Sequence, residues 1–242
     1  MMVAVAALIV AAYFFGAVPF GAMVARRRGV DILTKGSGNI GATNVHRVLG
    51  KGAGLTVFFL DIFKGLVPAL AVRLMFPDWP HVHEWAFWTG MSAVVGHCFS
   101  PWLGFRGGKG IATGFGMLLG AATVPAAGAF AVFVAATAIT RYVSLASVVA
   151  ALAVAVIGLA IRDPASMIWS YFALFAFVVH RHRGNLKRLI AGTERKFSIK
   201  GGSEGDKLRG TDKNGTSAGH EQGEGAAVPS VKIEEATPIG EN

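Results

Sequence analysis

The sequence predicts an all-α integral membrane protein with seven transmembrane helices, two of them short half-spans, and cytoplasmic glycine-rich loops. Three observations predict it. Of 242 residues, 53% are hydrophobic and only 15% are charged, whereas a soluble domain carries about a quarter charged residues. The apolar residues fall in runs long enough to cross a bilayer. The basic residues collect between those runs: residues 1–200 hold 19 Lys and Arg against 6 Asp and Glu, a net of +13.

The elements follow in order. Residues 3–25 carry no charge and, at roughly 1.5 Å per residue, suffice for the ~30 Å hydrocarbon core. The run ends, rather than begins, with positive charge at Arg26, Arg27 and Arg28, which argues against a signal peptide. The excess of cytoplasmic Lys and Arg found in membrane proteins then puts the amino terminus outside and these arginines inside. Residues 26–52 form a basic, glycine-rich loop. The second span, 53–76, contains Asp61, Lys64 and Arg73. A turn with aromatic anchors at 77–80 precedes the third span, 85–99, which enters a second basic glycine loop at 100–110. Residues 111–139 are long for one crossing and short for two, with Gly120 and Pro125 near the middle. Read as one span, they leave the basic segment 181–200 outside. Read as two back-to-back half-spans, they place it inside together with Arg141, so seven crossings satisfy the charge rule. Spans at 143–161 and 165–179 complete the set.

Two regions follow from composition: a membrane-embedded domain at 1–200 and a tail at 201–242. The tail has nine glycines, no aromatic residue and a net charge of −4. It is expected to be disordered and cytoplasmic, because it cannot bury enough apolar area to offset its ordering entropy. A single cysteine, Cys98, excludes an intramolecular disulfide and a cysteine-based zinc cluster. It is expected to be a small buried residue rather than a nucleophile. No metal or cofactor is expected. Basic charge held between membrane runs does not point to nucleic acid as a partner; phosphate groups and anionic lipid heads are the expected ones.

Three polar segments are expected on the cytoplasmic face. The first, G-S-G-N-I-G-A-T-N at 36–44 followed by Arg47, places Ser37, Asn39, Thr43 and Asn44 among glycines. Small residues let backbone N–H groups approach an anion, and a guanidinium forks onto phosphate oxygens. The second runs from Gly96 to Thr113 and contains Gly107, Gly108, Lys109 and Gly110. It departs from the Walker A pattern at Leu103 and Gly110, yet a helix N-terminus next to a lysine attracts an anion by the same physics. The third, 180–194, mixes His182 and Asn185 into a basic stop.

Together these segments resemble the bacterial acyl-phosphate:glycerol-3-phosphate acyltransferases, the PlsY family. The resemblance rests on G-S-G-N-I-G-A-T-N-V-x-R-V-L-G, on G-H-x-F-S-P-W-L-G-F-R-G-G-K-G-I-A-T and on H-R-x-N-L-K-R-L-x-x-G-T-E, with L-D-I-F-K-G at 60–65, and spans residues 1 to 198. It implies a seven-span enzyme of the bacterial inner membrane. Such an enzyme transfers a fatty acyl group from acyl phosphate to the 1-hydroxyl of sn-glycerol 3-phosphate, giving lysophosphatidic acid and phosphate. This is the first step of phospholipid synthesis, and an acyl-phosphate-forming enzyme would act upstream. Resemblance and residue chemistry together assign Lys109 and the amides of Gly107, Gly108 and Gly110 to the acyl phosphate and its oxyanion. Ser37, Arg47, Asn39, Thr43 and Asn44 would hold substrate phosphate, and His182 and Asn185 the glycerol 3-phosphate side. Either loop could take either phosphate.

For the general base, His97, His182 and Asp61 are candidates by type. Asp61 and Lys64, at i and i+3, read better as a buried charge pair, and a substrate phosphate is the preferred base. No histidine has an aspartate five positions on, which excludes the H-x4-D acyltransferase signature, and no paired-aspartate motif is present to hold Mg²⁺. The rival reading from another class is a small transporter of phosphorylated metabolites.

Overall fold

A computed structural model describes residues 2–198, and the expected disordered tail at 201–242 lies outside the described residues. The described chain is a bundle of nine α-helices: α1 (Met2–Ala17), α2 (Phe20–Arg26), α3 (Ala42–Leu49), α4 (Lys51–Met75), α5 (Val82–Cys98), α6 (Ile111–Ala121), α7 (Thr123–Thr140), α8 (Val143–Ala160) and α9 (Ala165–Ile190). Four stretches are long and apolar enough to cross a membrane: Met2–Arg26, Lys51–Met75, Thr123–Thr140 and Val143–Ala160.

The first of these is one rod broken at Val18 and Pro19, where proline supplies no N–H to continue the helix. The break exposes the Val18 carbonyl, and the buried Lys64 Nζ of α4 donates to it at 3.1 Å. The same ammonium lies 2.9 Å from Asp61 Oδ1. This buried pair therefore ties α4 to the kink that leads into the first polar segment.

Small residues set the helix contacts. A Cβ on Gly16 would run into the backbone of Ala93, and one on Gly96 into the Tyr13 carbonyl, so α1 and α5 touch backbone to backbone. Gly65 against Thr113 and Gly116 against Ile62 do the same for α4 and α6. Such close approach compensates for the missing hydrophobic drive between helices in lipid. The main core, with Phe87, Val94, Met117, Val154 and Tyr171 fully or nearly fully buried, lies between α4, α5, α6, α8 and α9.

Three sequence expectations need correction. The segment 26–52 is not loop throughout: residues 42–49 fold into α3, whose Val45 and Val48, three apart, pack with Ile32, Ile40 and Val57 in a small core of their own. The pair of half-spans is half right. The break falls at Ala122 (φ −149, ψ 72), but only α6, with 11 residues, is short; α7 has 18 residues and is long enough to cross. Pro125 sits in the first turn of α7, where its missing N–H breaks no helical bond. The last helix does not stop at 179, because α9 continues through most of the third polar segment to Ile190 and presents His182, Asn185 and Arg188 at three-residue spacing.

Candidate active site

The three polar segments meet around a cavity of about 400 Å³ at one end of the bundle. The first segment contributes Ser37, Asn39, Thr43, Asn44 and Arg47, the start of α6 contributes Lys109 and Gly110, and α9 contributes His182 and Asn185. Of the eleven residues expected at the site, nine line the cavity. Gly107 and Gly108 do not.

The first segment is held by one buried side chain. Asn44 Oδ1 accepts from the Ser37 N–H at 2.8 Å, and its Nδ2 donates to Lys35 O at 3.1 Å and Asn39 O at 2.9 Å. Its amide is therefore committed to the loop, which revises the expectation that it binds substrate. Gly36 makes this possible: at φ +59 its backbone is left-handed, and a Cβ there would strike Asn44 Oδ1. Asn44→Ala strands those loop groups. We expect its thermal midpoint in detergent to fall by about 3–10 °C, the effect of one to three kcal/mol from unsatisfied buried polar groups. A shift under one degree would show that the loop holds itself.

The second segment also differs from expectation. The Gly107 N–H donates to Cys98 O and the Gly108 N–H to His97 O, both at 3.1 Å. These two amides cap the end of α5 and cannot also form an oxyanion hole. Arg181 Nη2 clamps the turn from α9, donating to Gly108 O at 2.6 Å while its guanidinium lies 4.9 Å from the centroid of Phe99. Lys109 and Gly110 come next, in the cavity. Gly110 is left-handed (φ +80), and no side chain caps the first turn of α6, so its leading N–H groups are the donors left at this end.

Lys109 begins a chain of polar contacts. Its Nζ donates to Asn185 Oδ1 at 2.6 Å, and Asn185 Nδ2 donates to Glu194 Oε1 at 2.6 Å. Glu194 also accepts from Ser144 Oγ at 2.8 Å and from Arg188 Nε at 2.9 Å. Burial pulls the Lys109 ammonium down to about 8, reinforced by Arg188, Arg181 and Arg47 and opposed by Glu194. Burial would raise the Glu194 carboxyl, but the hydrogen bonds from Asn185, Ser144 and Arg188 and the charge of Arg188 hold it below its ordinary value. His182 Nδ1–H donates to Val178 O at 2.9 Å, so the neutral ring has Nε2 as its acceptor. Beyond α9, the Phe197 N–H bonds Arg141 O at 2.7 Å and its ring lies 5.3 Å from His46, strapping residues 192–198 across the cavity.

Glu194, Ser144 and Arg188 were missed as site residues from sequence. Glu194 stands in the G-T-E motif already noted, but a carboxylate beside an anion site runs against charge matching. Ser144 gives no signal in an apolar span.

Among the lining residues Arg47, Lys109, Arg188 and Arg195 outnumber Asp61 and Glu194, which favours an anion. Asp61, at the floor, is paired with Lys64 and has His97 Nδ1 at 3.6 Å. The cavity continues through Lys109, Gly110, Ile111, Ala112 and Phe133 into an apolar groove between α6, α7, α8 and α9, which includes Phe115, Leu118, Phe130 and Val154. Cationic at one end and apolar at the other, the site is suited to an amphiphile with an anionic head.

A helical bundle with membrane-length apolar helices and such a site defines an integral membrane protein that handles lipid-like anions. Residues 6–192 match the family described as glycerol-3-phosphate acyltransferase. A glycerol-3-phosphate acyltransferase of Myxococcus xanthus is 46% identical over 194 residues, 79% of this chain and 98% of that protein. That of Geobacter sulfurreducens is 42% identical over 187 residues, 77% and 94% of the two chains. The crystal structure of PlsY, an integral membrane glycerol 3-phosphate acyltransferase, in its glycerol 3-phosphate form, superposes with a TM-score of 0.75 at 37% identity. It covers 81% of this chain and 96% of that one. Its lysophosphatidic acid form gives 0.74. The chain belongs to the glycerol-3-phosphate acyltransferase family.

Proposed function

We propose that this protein transfers an acyl group from acyl phosphate to the 1-hydroxyl of glycerol 3-phosphate, with Lys109 at the reacting centre. The observation that carries the reading is the junction itself: the cationic cavity and the apolar groove meet at Lys109 to Ala112. An acyl phosphate bound there has its tail in the groove and its mixed anhydride beside Lys109. The glycerol hydroxyl attacks the carbonyl carbon, the bond from that carbon to the phosphate oxygen breaks, and inorganic phosphate leaves. The donor is already activated, so no acyl-enzyme is required; positioning and stabilisation of developing negative charge supply the rate. Lys109 and the first-turn amides of α6 face that charge. Ser37, Asn39, Thr43 and Arg47 hold substrate phosphate, and Asn185 and His182 lie on the glycerol side. A substrate phosphate takes the hydroxyl proton, because Asp61 is committed to Lys64.

On this reading the chain crosses the inner membrane of a bacterium seven times, with the start of α1 outside and this cavity and the end of α9 on the cytoplasmic side, as the distribution of Lys and Arg favours. Residues 1–200 then carry the whole reaction, and 201–242 add no catalytic group.

Purified protein in detergent, given palmitoyl phosphate and glycerol 3-phosphate, is expected to release phosphate only when both are present and to form the 1-acyl product. No release, together with flux of glycerol 3-phosphate into liposomes, would establish a carrier instead.

A further inference from the structure

Helix α6 contains three glycines, and one of them has no packing reason to be glycine. A Cβ on Gly116 would collide with the Ile62 carbonyl, and one on Gly120 with Ala69 of α4. These two are required by the contact between α4 and α6. Gly114 is buried as well, yet a Cβ there would find only Val94 Cγ2, at 4.0 Å. A glycine in a helix interior is disfavoured relative to alanine. Here it leaves an open space inside the protein, and that space is the apolar groove, which Gly114 lines.

We propose that Gly114 determines which acyl chains the enzyme accepts, by keeping the groove wide one turn below the reacting centre. This rests on the reading of the groove as the acyl site. Residue 114 lies four residues into the helix from Gly110, about 6 Å along the axis. Short chains end above it, and long chains must pass it. Phe115 of α6 and Phe130 of α7, stacked with centroids 4.9 Å apart and planes 20° apart, form a wall of the groove beside it. Val94 stands on the other side. A branched side chain at 114 therefore narrows the passage between Val94 and that wall while leaving the cationic cavity unchanged.

The test compares wild type, Gly114→Ala and Gly114→Leu, in detergent, with glycerol 3-phosphate and either palmitoyl or butanoyl phosphate. Gly114→Leu is expected to lower kcat/KM for palmitoyl phosphate, relative to butanoyl phosphate, by about tenfold or more. Gly114→Ala is expected to fold, to raise the thermal midpoint by about 2 °C through better helix propensity, and to shift the ratio less. An unchanged ratio in folded Gly114→Leu, an equal loss with both donors, or a lower midpoint in Gly114→Ala would overturn the proposal. Wild type inactive with both donors would instead overturn the assigned reaction.

Discussion

Replacing Lys109 with alanine is expected to lower kcat/KM for acyl transfer by about 10³-fold while membrane insertion is retained. The magnitude combines two losses. An electrostatic donor facing developing negative charge is worth about 10²–10³ in rate, and Asn185 Oδ1 loses the ammonium it accepts from at 2.6 Å. The same lysine gives the pH profile a sign. Burial has drawn it down to about 8, so the free enzyme loses its cation as pH rises through that value, and kcat/KM falls on the alkaline side. Bound phosphate favours the charged form, so the corresponding limb in kcat lies at higher pH. Lys109→Arg separates charge from geometry: guanidinium does not titrate in this range, and the limb near 8 vanishes whatever the residual rate. A rate over pH 6–10 measured at low substrate decides it. An alkaline limb that survives in Lys109→Arg would assign the titration to another group.

Legibility from sequence divided along physical lines. Apolar runs long enough to cross a bilayer marked α4, α8 and the rod of α1 and α2 directly, since length and hydropathy are themselves the constraint. Helix α3 escaped because its apolar positions, Val45 and Val48, are embedded among Asn, Thr, His and Arg. The break at Ala122 falls between Gly120 and Pro125, the two residues that mark it in the sequence, but the lengths on its two sides are not legible, because neither residue says how far each helix runs into the apolar stretch. At the site, residue type identified Lys109, Ser37, Arg47 and His182 as cavity residues. What type does not specify is the direction of a hydrogen bond. A glycine loop near a lysine reads as an anion cradle, yet the Gly107 and Gly108 amides point into the end of α5, and Asn44 faces its own loop. Each of these satisfies a buried backbone group that would otherwise be orphaned. That requirement depends on tertiary contacts and has no local sequence signature.

Glu194 shows the same point in reverse. Its carboxylate sits in a cavity suited to anions, and its loss is expected to cost both stability and activity. Oε1 accepts from Asn185 and Ser144, and Oε2 from Arg188. The contact with Arg188 is partly solvated, since that side chain is 49% exposed, so the ion pair itself contributes little. The hydrogen bonds to the charged oxygens dominate, and removing them in Glu194→Ala is expected to destabilise the protein by about 2 kcal/mol, or about 4–8 °C in the thermal midpoint. Glu194→Gln keeps the volume but turns an amide N–H₂ toward one of three donors. It is expected to fold and to lose about a hundredfold in kcat/KM, because the charge-assisted hydrogen bond that anchors Asn185 and, through it, Lys109 is weakened. A purely structural role would stop there. The carboxylate also favours the ammonium form of Lys109, so its removal lowers the lysine further and moves the alkaline limb of kcat/KM to a pH below that of wild type. Stability and pH profile therefore separate scaffold from electrostatics. If Glu194→Gln lowers activity with the limb unmoved, the carboxylate positions Asn185 but does not hold the charge on Lys109.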